Sequence, residues 1–149
     1  MKKKIASLLV LAAFVTTGIF AKPIDGDLSN KVLSSFSERF SEAKHVSWSK
    51  SDNYVKASFT LNNQVMFAYF TLSGEMVGVT RNILSTSLPL NLQTRLKKMA
   101  TNNWISELFE MATDDQTIYY LTLENADQKT YLKSDLNNSW SVIGRIKKN

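Results

Sequence analysis

Hydrophobic and polar residues alternate between residues 53 and 83, and this alternation predicts antiparallel strands joined by tight turns. Two runs in this stretch, residues 53–61 and 64–72, are rich in aromatic and β-branched side chains. Only Asn62 and Asn63 separate the two runs. Asparagine tolerates the positive φ that a two-residue hairpin turn requires. The pattern therefore predicts a hairpin here, extended to a three-stranded meander by a third run.

A two-residue turn fixes which side chains of the hairpin lie opposite each other. It predicts one continuous apolar face, formed by three pairs of facing residues: Val55 with Phe70, Ala57 with Ala68, and Phe59 with Met66. An apolar sheet face of this size must be covered by another element.

An amphipathic helix is predicted before the meander, with Ser29 as its N-cap and its end near Glu42. Its apolar positions recur every three or four residues and are Val32, Leu33, Phe36, Phe40 and Ala43. A first strand, residues 45–50, follows, with Val46 and Trp48 predicted to face the helix. We expect this helix to cover the apolar face of the meander.

The second half of the chain has the same order of elements. A helix begins at Leu88-Pro89, with proline in the first turn, where its missing N–H is harmless. Four strand-like runs follow the helix, at residues 104–113, 116–124, 129–135 and 140–146. We therefore predict an α+β fold with two tandem α-β4 repeats, in which the helices pack on one face of an antiparallel sheet. The repeats span residues 28–84 and 88–149, to within a few residues, and together form one domain of residues 28–149.

The first 21 residues indicate export. Lys2, Lys3 and Lys4 form a basic start, residues 5–20 are almost uninterrupted apolar sequence, and Ala21 is a small residue suited to cleavage. This pattern predicts a signal peptide at residues 1–21, followed by a linker at residues 22–27. The alternative, a membrane anchor, fits less well because the run is short for a span. We expect a bacterial periplasmic or secreted protein, with no stable membrane insertion after cleavage.

Composition narrows the classes of function. The chain has 18 Lys and Arg against 13 Asp and Glu, and without the three lysines of the predicted signal the count is 15 against 13. No basic stripe then argues for nucleic acid as a partner. Cysteine is absent, which excludes disulfides and a thiol nucleophile.

No catalytic motif stands out, so we predict that the protein is not an enzyme. His45 is the only histidine and is expected on a strand surface. Asp114 and Asp115 are adjacent acids at a predicted hairpin tip, where solvated turn residues are common. Glu107 and Glu110 are predicted to fall on opposite faces of a strand. We expect no cofactor and no metal, because no ligand spacing is present.

The second face of the meander is unusually aromatic. Five of the side chains that the predicted register places away from the helix form our candidate partner-binding face: Tyr54, Lys56, Phe67, Tyr69 and Met76. The outer face of such a sheet is usually polar. Two interpretations remain open: the face packs internally between the two halves, or it is exposed and recognises a partner protein.

Several motifs together resemble the small periplasmic PepSY-like proteins, which are related in architecture to the beta-lactamase inhibitory protein. The resemblance covers residues 32–146. It rests on a Phe-x-x-Ala helix end and Val-x-Trp strand at residues 40–48, an Ala-x-Phe strand at 57–59, an aromatic strand with a Gly turn at 67–74, the Leu-Pro helix start, and the internal repeat. The resemblance implies an exported, non-enzymatic binding or inhibitory module.

Two functions from different classes follow from these predictions. The first is a periplasmic module that binds or inhibits a periplasmic or secreted protein, of the hydrolase or peptidase class, through its aromatic sheet face. The second is a structural or stress-related protein of the cell envelope without inhibitory activity.

Overall fold

A computed structural model of the protein describes residues 22–23, 28–134 and 139–148. The predicted signal peptide, residues 1–21, lies outside the described residues, as does most of the predicted linker. The linker residues Lys22–Pro23 form a short strand, β1, which pairs with Lys50 and Ser49. No helix in the described part of the chain is long and apolar enough to cross a membrane.

The chain divides into two compact units, one ending at Val79 and one beginning at Thr80. The first unit contains helix α1, Asn30–Arg39. Its other strands are β2, Lys44–Lys50, β3, Tyr54–Leu61, β4, Gln64–Thr71, and β5, Met76–Asn82, whose last residues belong to the second unit. Strands β1 to β4 pair antiparallel in chain order, and β5 lies beside β4.

The second unit contains helix α2, Leu90–Met99, between two short 3-10 helices, Ser85–Ser87 and Ala100–Asn102. Four strands follow: β6, Trp104–Ala112, β7, Thr117–Glu124, β8, Gln128–Ser134, and β9, Trp140–Lys147. These strands also pair antiparallel in chain order. Their positions agree with the four predicted runs to within about two residues.

The predicted fold class is wrong. The described residues form eight strands of 7 to 9 residues, β2 to β9, in addition to the short β1. They form only two α-helices, each of 10 residues. The described chain is therefore mostly antiparallel sheet, and it is not an α+β fold of two helix-packed α-β4 repeats. The prediction failed because it treated each helix as a full layer packed on the sheet. A helix of about three turns offers a narrow apolar stripe, and only two side chains in each helix are buried.

The core of the first unit joins helix α1 to strands β3 and β4. Its buried members are Val32, Phe36, Val55, Ala57, Phe59, Ala68 and Phe70. The ring of Phe36 meets the ring of Phe59 edge to face, with centroids 5.1 Å apart. The strand register pairs Val55 with Phe70, Ala57 with Ala68 and Phe59 with Met66, so the predicted facing pairs are confirmed.

The core of the second unit is aliphatic rather than aromatic. It consists of seven buried leucines: Leu88, Leu92, Leu96, Leu108, Leu121, Leu123 and Leu132. The indole N–H of Trp140 donates a hydrogen bond to the carbonyl oxygen of Leu92 at 3.2 Å. This bond attaches strand β9 to helix α2 across 48 residues of sequence.

Helix α1 begins as predicted and ends earlier than predicted. The N–H of Lys31 donates to the hydroxyl of Ser29 at 3.3 Å, which confirms the N-cap. The helix ends at Arg39 rather than near Glu42. Phe40 leaves the helical conformation, and the N–H of Ala43 then donates to the carbonyl of Phe40 in a tight turn. This turn lets the chain reverse into β2.

Strand β2 contains an irregularity that the alternation did not reveal. Lys44 lies opposite Thr60 but Ser47 lies opposite Ser58, so β2 carries one extra residue between these pairs. His45 has a φ of 54° within this bulge. The bulge shifts the alternation, and Val46 is exposed rather than facing the helix as predicted. Trp48, beyond the bulge, packs against the core as predicted, with its ring 5.0 Å from that of Phe36.

Candidate functional site

The β3–β4 hairpin positions most of the candidate partner-binding face. Its turn consists of Asn62 and Asn63, with φ values of 50° and 61°. Leu61 and Gln64 pair directly, so the predicted two-residue turn is confirmed. Both central residues of such a turn need positive φ, which asparagine adopts at low cost. The turn therefore fixes the register of every side chain on the hairpin.

Four of the five predicted residues come together on this hairpin. Lys56 lies directly opposite Tyr69 in the strand register. The rings of Tyr54 and Tyr69 are 5.9 Å apart and meet edge to face. The Nζ atom of Lys56 lies 5.5 Å from the centroid of the Phe67 ring, within reach of a cation–π interaction. We call Tyr54, Lys56, Phe67 and Tyr69 the aromatic cluster.

The aromatic cluster lies on the side of the hairpin away from the core. Along β3, Val55, Ala57 and Phe59 are buried, while the residues between them are half-buried. Tyr54, Lys56 and Phe67 therefore keep part of their surface accessible to solvent. Tyr69 is different because only 9% of its surface is exposed.

Met76 does not follow the predicted arrangement. Its half-buried side chain packs against the aromatic core of the first unit. The prediction extended a strict alternation from β4 into β5, through a turn in which the N–H of Thr71 donates to the carbonyl of Glu75. The structure thus unites four of the five candidate residues and places the fifth with the core.

The second unit has an aromatic pair that the sequence analysis missed. The rings of Phe109 and Tyr120 lie opposite each other on β6 and β7, stacked at 5.1 Å with an angle of 15°. Burial raises the pKa of Tyr120 to about 12. Its hydroxyl is buried and has no hydrogen-bond partner among the described residues. Along β7, Tyr120 points to the opposite face from the core residues Leu121 and Leu123. This alternation in the sequence could have indicated a second aromatic face.

Charged side chains cluster around Glu124, the last residue of β7. The Glu124 carboxylate forms an ion pair with Lys148 at 2.8 Å and another with Lys129 at 2.9 Å. These bonds hold the pKa of Glu124 at about 2, below its ordinary value of 4.5. The Nζ atom of Lys148 also lies 4.6 Å from the centroid of the Trp104 ring. The pairing with Lys129 spans a short turn and was foreseeable, whereas nothing local indicates the contact with Lys148.

The titratable residues considered for catalysis do not converge. His45 is exposed in the β2 bulge. Glu107 accepts a hydrogen bond from the Thr122 hydroxyl at 3.1 Å, and Glu110 pairs with Arg81. Asp114 and Asp115 are exposed between β6 and β7. Within the part of the chain that the structure describes, no group of three or more potential ligands could hold a metal ion.

Comparison with known proteins supports the fold. No protein-family model matches the chain. No curated protein matches it either. Three solved structures from Bacteroides superpose on most of it, each covering 82–83% of this chain and 88–90% of the other.

The first of these structures is a DUF2874 family protein from Bacteroides ovatus, 17% identical with a TM-score of 0.71. The second is a candidate periplasmic protein from Bacteroides eggerthii, 14% identical with a TM-score of 0.70. The third is a BLIP-like protein from Bacteroides fragilis, 12% identical with a TM-score of 0.66. At these identities the likeness shows a shared fold alone. It supports the likeness in architecture to the beta-lactamase inhibitory protein (BLIP). It does not support the PepSY-like label.

Proposed function

We propose that this protein is an exported, non-enzymatic binding module whose aromatic cluster engages another protein. The observation that carries the proposal is the position of the cluster, on the hairpin face away from the core. Such a face is ordinarily polar, but here Tyr54 and Phe67 present half-buried rings. Aromatic side chains are enriched in protein interfaces because they bury a large area at low entropic cost.

Lys56 gives the proposed interface a polar element. Its Nζ atom lies 5.5 Å from the centroid of the Phe67 ring. A cation beside accessible aromatic surface favours a partner that offers a carboxylate next to apolar side chains. Interfaces commonly combine an aromatic core with such a charged rim.

The periplasm is the proposed location. The basic start and apolar run of residues 1–21 support export. The shared fold with a candidate periplasmic protein from Bacteroides eggerthii is consistent with this location. The BLIP-like neighbour supports a protein such as a hydrolase as the partner.

A second candidate function is a structural or stress-related envelope protein without inhibitory activity. The low exposure of Tyr69, 9%, favours it. A ring so thoroughly buried contributes to folding, and its loss would destabilise the protein rather than only weaken binding.

The variant Tyr54→Ser with Phe67→Ser tests the proposal, because both rings are half-buried and keep part of their surface accessible. We expect it to lose capture of a periplasmic hydrolase, and inhibition of that purified hydrolase, with little change in the thermal midpoint. Leu33→Ser is the matched control, since Leu33 is an exposed apolar residue of α1, and it should retain both activities. A large fall in the midpoint of the double variant would instead support the second candidate.

A further inference from the structure

The β8–β9 hairpin ends the sheet of the second unit. Strand β9 pairs with β8 and with no other strand among the described residues. Three apolar side chains of β9 are exposed: Val142 at 45%, Ile143 at 47% and Ile146 at 46%. An edge strand offers unpaired backbone N–H and C=O groups to any extended segment that can lie beside it.

The edge strand is basic, and we call its two cations, Arg145 and Lys147, the basic edge. Neither β8 nor β9 contains a carboxylate. The register pairs Arg145 with Thr130 and Lys147 with Gln128, so both cations lie on one face of the sheet. Among the described residues, neither cation forms an ion pair with a carboxylate.

We propose that the basic edge binds an extended acidic segment of another protein, which adds as a strand beside β9. Backbone hydrogen bonds would supply the pairing, as in other cases of strand addition. Charge complementarity would supply the selectivity. Arg145 and Lys147 are two residues apart and flank the exposed Ile146. Alternate residues of a strand share a face, so acidic residues two apart in the partner would meet both cations.

A second copy of this chain is a poorer occupant of the edge. Its β9 strand would bring two further cations and no carboxylate. Like charges brought together across an interface oppose association. Cations on an edge strand also protect proteins from unwanted sheet extension, and the experiment must separate this protective role from binding.

The probe is an acetylated and amidated octapeptide of alternating glutamate and valine, titrated into the full chain at about 0.15 M salt. We expect it to bind and to slow amide hydrogen exchange in β9. A lysine and valine octapeptide should not bind, because its charge has the wrong sign. A glutamate and valine octapeptide with N-methylated valines should bind more weakly, because it lacks half of the N–H donors.

Two double variants with the same change of charge complete the test. Arg145→Glu with Lys147→Glu should weaken peptide binding by about tenfold or more, since a repulsive charge replaces an attractive one. Arg95→Glu with Lys97→Glu reverses two exposed charges on α2, and its affinity should stay within about twofold of the parent, because neither residue lies on the edge strand and salt at about 0.15 M screens charges beyond about 8 Å.

Three results would overturn the proposal. One is an equal loss of affinity in both double variants. Another is binding without slowed exchange in β9. The third is a dimer whose β9 amides are protected before peptide is added, which would assign the edge to a second copy. The aromatic cluster is unchanged in these variants, so the result is independent of the proposed function.

Discussion

Gly74 lies directly against the backbone of Lys31. A β-carbon on Gly74 would come within 2.8 Å of the β-carbon of Lys31 and 2.9 Å of its carbonyl carbon. The hydroxyl of Ser35 donates a hydrogen bond of 2.7 Å to the carbonyl oxygen of Gly74. Gly74 also has a φ of 94°, which side-chain-bearing residues rarely adopt. The turn between β4 and β5 is therefore fixed to helix α1 by a contact that only glycine allows.

Gly74→Ala should destabilise the protein by about 2–3 kcal/mol, through strain at positive φ and displacement of helix α1. Urea unfolding measures the change. Gly144→Ala is the control, because a β-carbon there would lie 3.5 Å from the Tyr131 ring, an ordinary contact. Equal destabilisation by the two substitutions would contradict the role assigned to the Gly74 contact.

Trp48→Ala should cost about 3 kcal/mol, because it removes a large ring that packs against Phe36 and Phe70. His45→Ala in the adjacent bulge should cost less than about 0.5 kcal/mol, because the side chain is exposed. Chemical denaturation of both variants checks the difference. A His45 variant as unstable as the Trp48 variant would show that the packing of β2 is assigned incorrectly.

Acid should weaken the second unit through Glu124. The pKa of Glu124 is about 2 in the folded protein, below its ordinary value of 4.5. Its ion pairs with Lys129 and Lys148 therefore stabilise the folded state fully above pH 4.5. That stabilisation should be lost as the pH falls from 4.5 towards 2, because protonation removes the charge.

Glu124→Gln checks this pH dependence. The free energy of unfolding of the parent should fall more steeply than that of the variant across this range of pH. Glu38→Gln, at an exposed position on α1, should keep the steeper fall of the parent. Parallel curves for the parent and Glu124→Gln would exclude the ion pairs as the source.

Tyr120→Phe should leave stability unchanged or raise it by up to about 1 kcal/mol, because a buried hydroxyl without a partner costs free energy. Thr122→Val on the same strand should instead destabilise by about 1 kcal/mol, since it removes a hydrogen bond to Glu107. Thermal unfolding compares the two. A strongly destabilised Tyr120→Phe would mean that the phenol has a partner after all.

The aromatic cluster shows how far the sequence analysis reached. Asn62 and Asn63 specify a turn whose geometry is local, so the opposition of Lys56 and Tyr69 could be predicted from the sequence. The burial of Tyr69 and the position of Met76 could not, because they depend on elements outside the hairpin.

The sequence by itself determined the strands, the hairpin register and the facing apolar pairs of β3 and β4, since hydrophobic periodicity and turn residues act over a few neighbouring positions. Only the tertiary structure decided the predominance of sheet over helix and the bulge that turns Val46 outward. It also decided the contact of Gly74 with Lys31 and the pairing of Glu124 with Lys148. These features join residues that are distant in the chain, or reflect competition between elements for the same core, and no local pattern encodes either.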